Sequence, residues 1–259
     1  MKFSIVSPVY RAESILPTLV KRIEEGMLNI SSDFEIILVE DGGPDNSWRV
    51  IEQLCAKNKN VKGIQLSRNF GQHFAIMAGL EKAKGEWIIV MDCDLQDRPE
   101  EFSNLFNKAN EGFDLVVAKR EVRKDTFFKK TTSKLFTIFY NYMSDNKHDS
   151  AVANFGIYNK KVIKEVLKMK DSNKIFPLFI NWVGFNKAEV IVNHGERYEG
   201  ESSYSFIKLI SLAFNGIISF SNRPLRLVIS FGIFISTIST LMGFLFLYRS
   251  FIDEITVIG

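Results

Sequence analysis

Only two cysteines, Cys55 and Cys93, occur in the chain, and they show neither a paired spacing nor that of a metal site. This excludes a disulfide framework and leaves reduced thiols, the pattern of a reducing compartment. Charge of one sign is also scarce, since 33 basic against 30 acidic residues leave a formal charge of +3. With no general basic surface, nucleic acid is not an expected partner. There is no internal repeat and no low-complexity segment, and the opening residues, Lys2 to Tyr10, form too short an apolar run for a signal peptide. Nothing therefore suggests export.

What the chain does have is apolar content, 46% of residues with a mean hydropathy of +0.01, which is high for a soluble protein. A length of 259 residues suits one full-sized core with an appendage. The apolar excess is local. Leu227 to Tyr248 holds no ionisable group except its terminal tyrosine, and these residues would make about 33 Å of helix at about 1.5 Å per residue, enough to cross a bilayer. The competing reading is a buried core helix, but no polar stripe marks a solvent face. Arg223 and Arg226 precede the segment, while Arg249 is accompanied by Asp253 and Glu254 beyond it, a bias that places the N-terminal bulk in the cytoplasm. Just ahead, Phe206, Ile207, Ile210, Ala213, Phe214, Ile217 and Ile218 recur at helical spacing. They predict either an interfacial helix or an ordinary core-facing one.

The first 120 residues alternate β-branched apolar runs with helix-period segments, the signature of a doubly wound, mostly parallel sheet with helices on both faces. Strands are predicted at Phe3 to Ser7, Glu35 to Val39, Lys62 to Leu66, Trp87 to Met91 and Leu115 to Ala118, with helices near Ser14 to Met27, Asp45 to Asn58, Gln72 to Ala83 and Glu100 to Glu111. The second half is less regular, with a helix-like run at Phe127 to Met143 and a short strand at Asn154 to Tyr158. Open sheets of this kind bind ligands beyond the C-terminal strand ends, so the residues following each strand carry the functional signal.

The fourth predicted strand ends in Asp92-Cys93-Asp94, followed by Gln96 and Asp97. Carboxylates at i and i+2 on a strand end can hold a hard divalent cation whose other positions take diphosphate oxygens, or can simply be a solvated acidic loop. The second strand ends in Glu40-Asp41-Gly42-Gly43, where Asp41 could hydrogen-bond a base or ribose and where a tight turn equally explains the glycines. Asp45, Asn46 and Ser47 are available to cap the next helix. The first strand ends in Pro8-Val9-Tyr10 with Glu13 close behind, a place for a nucleotide base or for a core-rim tyrosine. Between Lys119 and Lys134, seven basic residues face only Glu121 and Asp125, a local charge of +5 that is either a solvated face or a collector of phosphates.

Taken together, these stretches resemble glycosyltransferase family 2, and within it the polyprenyl-phosphate group. The resemblance rests on Pro8-Val9-Tyr10, Val39 to Gly43, Ser67-Arg68-Asn69-Phe70-Gly71-Gln72, Met91 to Asp97, Arg120, Trp182-Val183-Gly184-Phe185, and Arg197 with Gly200, Ser202 and Tyr204. It implies a GT-A fold in residues 1–203, an interfacial helix and juxtamembrane turn at 204–226, a membrane helix at 227–248 and a short tail at 249–259. By the same resemblance Asp92, Asp94 and Gln96 hold Mg²⁺ or Mn²⁺ on the diphosphate of a UDP- or GDP-linked sugar, and Pro8, Tyr10, Glu13 and Asp41 hold its nucleoside. Arg120 meets phosphate, Lys129 and Ser133 face the phosphate of a polyprenyl phosphate acceptor, and Arg197, Ser202 and Tyr204 close over the site. The implied enzyme works at the inner membrane, with a homo-oligomer as the expected assembly.

Two other outcomes remain open: transfer to a sugar hydroxyl, for which Asp145 and Asp149 are the nearby bases, and an inactive nucleotide-sugar-binding scaffold. The chain departs from the family pattern in three places. Ala153-Asn154-Phe155-Gly156 lacks the arginine that usually follows the phenylalanine, Arg11-Ala12 replaces the usual asparagine and glutamate, and Ala118 replaces a glycine. Bacterial members usually carry two membrane helices, so either the second is absent or the chain is truncated.

Overall fold

The computed structural model describes residues 1–120, 152–171, 174–192 and 222–252. They fall into two units, a sheet domain and a C-terminal helix. In the sheet domain the order of elements is β1 (Phe3–Val9), α1 (Leu16–Leu28), β2 (Phe34–Glu40), α2 (Ser47–Lys57), β3 (Val61–Gln65), α3 (Gln72–Lys82), β4 (Trp87–Val90), a 3₁₀ turn (Pro99–Glu101), α4 (Phe102–Ala109), β5 (Leu115–Arg120), β6 (Val152–Asn159), α5 (Lys160–Lys168), α6 (Phe176–Trp182) and β7 (Lys187–Val192). All five strands and four helices predicted in the first 120 residues are present, with ends shifted by one or two residues. Pro17 and Pro99 sit in first turns, where the missing N–H has no intrahelical partner to lose.

The seven strands lie in the order β3-β2-β1-β4-β6-β5-β7. β1 to β4 are mutually parallel where they pair, β6 is antiparallel to both β4 and β5, and β7 is parallel to β5. The C-terminal ends of β1 to β5 and β7 therefore share one edge with the start of β6. Residues alternate between two cores. Phe3, Ile5 and Val9 of β1 join Leu19, Ile23, Ile51, Phe102 and Leu105 of α1, α2 and α4 on one face. On the other, α3 comes so close that a Cβ at Gly79 would lie 2.4 Å from Val6 and 3.0 Å from Val39. Fully buried runs such as β1 and β2 are what a parallel sheet covered on both faces requires.

In the second unit, α7 runs from Arg223 to Ile252 over 30 residues. Leu225–Ile252 is long and apolar enough to cross a membrane, and none of its hydrophobic window is buried within the protein. Two of its hydroxyls are satisfied within the helix: Thr237 Oγ1 donates to Ile233 O and Thr240 Oγ1 to Ser236 O, both at 2.8 Å, a bond that also serves hydroxyls in an apolar medium. The predicted interfacial helix at 204–220 and the helix-like run at 127–143 lie outside the described residues.

Candidate active site

At the end of β1 the chain turns sharply. Arg11 takes a left-handed conformation (φ 53°), and its guanidinium lies 5.4 Å from the centre of the half-buried Tyr10 ring. Pro8 is buried within the strand. Glu13 links two loops: its Oε2 accepts Asn46 N at 2.8 Å, and its own N–H donates to Asp45 Oδ2 at 3.3 Å. Ser47 Oγ donates to Asp45 Oδ2 at 2.7 Å and accepts Ala12 N at 3.0 Å. Asn46 is the N-cap of α2 without a side-chain capping bond, so the expected capping residues instead tie the β1 and β2 loops together.

At the end of β2, Glu40 and Asp41 are almost fully buried. Glu40 Oε1 accepts Gly43 N at 2.5 Å. Asp41 Oδ1 accepts Phe70 N at 2.8 Å, and Oδ2 accepts Gly71 N at 2.9 Å. Burial pushes the Asp41 carboxyl above its ordinary value, and the two amides offset only part of that shift. Gly42 (φ 60°) is needed here, because a Cβ would stand 2.3 Å from Arg68 C and 2.4 Å from Asn69 N. The Arg68 guanidinium lies 4.6 Å from the Phe70 ring centre, and Phe70 is 6.3 Å from Phe74.

At the end of β4, Asp97 is buried and accepts the Asp92 N–H at 3.1 Å. Leu95 takes the second left-handed non-glycine conformation among the described residues (φ 58°), folding the chain so that Asp94 Oδ1 accepts Gln96 N at 3.1 Å. Strain of this kind clusters at functional sites. Cys93 packs inward, and burial, reinforced by the Asp92 and Asp94 charges, pushes its thiol up to about 12. Gln72, at the start of α3, donates from Nε2 to Asp92 Oδ1 at 2.5 Å. The next residue, His73, has a buried Nδ1 without a partner among the described residues, and burial lowers its pKa to about 4, so the imidazole is neutral.

Of the residues singled out by sequence, Pro8, Tyr10, Glu13, Asp41, Asp92, Asp94 and Gln96 lie along one edge of the sheet, and β5 ends there on Arg120. Lys129, Ser133, Arg197, Ser202 and Tyr204 lie outside the described residues. Asp92, Asp94 and Gln96 carry hard oxygen donors of the kind a divalent cation takes when it shares its other positions with phosphate. No closed group of three or more His, Cys, Asp or Glu occurs among the described residues. Sequence reasoning missed the contact of Gln72 with Asp92; the run Ser67 to Gln72 contributed to the resemblance but carried no role. Gly156 also acquires a reason. A Cβ there would stand 2.8 Å from both Val116 O and the Tyr158 hydroxyl, in a stretch where the register of β5 against β6 shifts between Val117 and Lys119.

The sequence profile of glycosyl transferase family 2 matches residues 4–167. The undecaprenyl-phosphate 4-deoxy-4-formamido-L-arabinose transferase of Klebsiella pneumoniae is 34% identical over 250 residues, covering 95% of this chain and 74% of that protein. Glucosyl-3-phosphoglycerate synthase from Mycobacterium tuberculosis, solved with Mn²⁺, UDP and phosphoglyceric acid, has a TM-score of 0.56 at 13% identity, covering 83% of this chain and 76% of that one. The mannosyltransferase PcManGT of Pyrobaculum calidifontis, solved with GDP-Man and Mn²⁺, has a TM-score of 0.51 at 10% identity, covering 76% of this chain and 58% of that one. At such identities the structural likeness speaks to the fold, which is GT-A. Because the profile covers more than half of the chain and the Klebsiella relative nearly all of it, the chain belongs to glycosyltransferase family 2 and is a glycosyltransferase.

Proposed function

We propose that the protein transfers a sugar, with inversion, from a UDP- or GDP-linked donor to the phosphate of a polyprenyl phosphate at the cytoplasmic face of the inner membrane. The observation that carries this reading is the relationship over 95% of the chain to an enzyme named for undecaprenyl phosphate. Two features of the chain support it: the carboxylate edge of the sheet, and a helix suited to the bilayer that contains the acceptor.

Pro8, Tyr10, Glu13 and Asp41 bind the nucleoside at the ends of β1 and β2, where Asp41 retains lone pairs beyond the two that accept backbone amides. Asp92, Asp94 and Gln96 would hold a divalent cation, Mg²⁺ or Mn²⁺, whose charge would offset that of the leaving diphosphate. A phosphate monoester has a second pKa of about 6, so the acceptor is already a dianionic nucleophile at neutral pH and needs no general base. Cationic groups guide it instead. Arg120 meets phosphate, Lys129 and Ser133 orient the acceptor phosphate, and attack opposite the leaving group inverts the anomeric carbon. Arg197 and Ser202, at the end of a catalytic domain spanning residues 1–203, and Tyr204 just beyond it close over the donor.

The test is turnover of UDP-, GDP- and dTDP-sugars by membranes containing the protein, with undecaprenyl phosphate and Mg²⁺ or Mn²⁺, followed by lipid extraction of label. Acid-labile lipid label from one donor, abolished by Asp94→Ala, is expected. Metal-dependent nucleotide binding with no lipid label from any donor would refute the phosphate acceptor and point to a sugar hydroxyl.

A further inference from the structure

The run Ser67 to Gln72 plays no part in the mechanism above, yet contacts on three sides fix its position. Asp41 holds it through Phe70 N and Gly71 N at 2.8 and 2.9 Å. Gly42 packs flat against it, with no room for a Cβ beside Arg68 and Asn69. Gln72 then reaches from the first turn of α3 to Asp92 Oδ1 at 2.5 Å. Gly71 makes the corner between these contacts with φ 101° and ψ 153°, a backbone region essentially confined to glycine. Since β1 lies between β2 and β4, this segment is a strap that bridges β1 and joins the carboxylate at the end of β2 to the carboxylate at the end of β4.

We infer that Gln72 is a positioning residue for the metal carboxylate Asp92, and that its own place is set by the Asp41-anchored strap. The inference rests on the proposal that Asp92 and Asp94 hold a divalent cation. An aspartate at a strand end has two free side-chain torsions, and a hydrogen bond to one oxygen removes most of that freedom before a ligand arrives. The donor is a neutral amide, so it orients Asp92 without cancelling the charge that a cation needs. A lysine or arginine in its place would compete with the metal. Asp97 completes the arrangement by holding the Asp92 N–H, so the residue is fixed at both main chain and side chain. Partners of this kind behind metal ligands typically contribute 10- to 100-fold to metal affinity.

The experiment is Mn²⁺ titration by electron paramagnetic resonance on the full-length protein in detergent, with UDP present, comparing wild type with Gln72→Met. Methionine keeps the length and helix propensity of the side chain but removes the donor. Gln72→Ala provides a second donor-free variant, and thermal melting checks both. Mn²⁺ binding weaker by about 10- to 100-fold, with UDP affinity in the absence of metal unchanged, is expected. Transfer activity should be partly recovered at high metal. Wild-type Mn²⁺ affinity in a folded Gln72 variant would overturn the inference alone, whereas failure of the wild type to bind Mn²⁺ with UDP would overturn it together with the metal reading.

Discussion

Replacing Gly42 by alanine tests whether the strap must lie flat on the end of β2. The substitution has two separable costs. Alanine at φ 60° leaves the favoured backbone regions, worth about 1–2 kcal/mol. The added Cβ also meets Arg68 C at 2.3 Å and Asn69 N at 2.4 Å, both main-chain atoms, where ordinary contact begins at 3.4 Å. The strap must therefore retreat by about 1 Å. Its hydrogen bonds from Phe70 N and Gly71 N to Asp41, now 2.8 and 2.9 Å, would stretch beyond useful length. Losing part of two charge-assisted bonds brings the total to about 3 kcal/mol. A displacement of that size near the reacting groups lowers kcat/KM by about 10²-fold. Gly112→Ala is the control, since Gly112 has φ 104° but nothing within 4 Å, so only backbone strain applies. Thermal denaturation and lipid-label turnover of both variants supply the readouts. The reasoning is refuted if Gly42→Ala melts and turns over like the wild type, or if Gly112→Ala loses as much turnover per folded molecule.

Two further outcomes concern the framework. Buried Glu35 accepts Ser4 Oγ at 2.6 Å and Lys84 N at 2.7 Å and pairs with Lys62; burial raises its pKa, but the bonds from Lys62, Ser4 and Lys84 outweigh burial and bring it below the ordinary 4.5. Its stabilising contribution is therefore complete above about pH 4.5 and lost as pH falls through the lower folded value, so Glu35→Gln should cost about 1–3 kcal/mol near neutrality and flatten the acid limb of a melting-temperature profile. Gly156→Ala should destabilise by about 1–3 kcal/mol through overpacking, and adding Tyr158→Phe should recover part of that loss in a double-mutant cycle read by chemical denaturation.

The fold was legible where hydrophobic period and length decide the element. β1, β2 and β4 are short runs dominated by apolar residues, and α1, α2 and α4 have amphipathic spacing, so their ends are misplaced by at most two residues. The other elements carried weaker signals. β7 reads KAEVIV, with charged Lys187 and Glu189 on a strand that pairs on one side only among the described residues. α6 has seven residues with a proline near its start, and α5, though amphipathic, is only nine residues long. β6 was predicted at Asn154 to Tyr158, but its insertion antiparallel between β4 and β5 depends on pairing partners distant in sequence. No local pattern encodes that choice.

The site divides along a similar line. Residue types at strand ends identify which carboxylates gather there, but not what each one does, because their partners are mostly backbone amides, which a residue sequence does not display. Glu13 and Asp41 each accept a main-chain N–H from another loop, and Glu40 and Asp97 each accept one from within their own. A dense group of like charges on one edge would repel itself without compensation. Backbone N–H dipoles supply part of that compensation. The compensation also explains why Leu95 holds a left-handed conformation: it turns Asp94 back onto the Gln96 N–H while leaving Asp92 within reach of Gln72. In the proposed function, the strain at Leu95 and the strap from Asp41 to Gln72 serve one end, fixing Asp92 and Asp94 in advance so that little reorganisation would be needed to take a donor diphosphate with its cation.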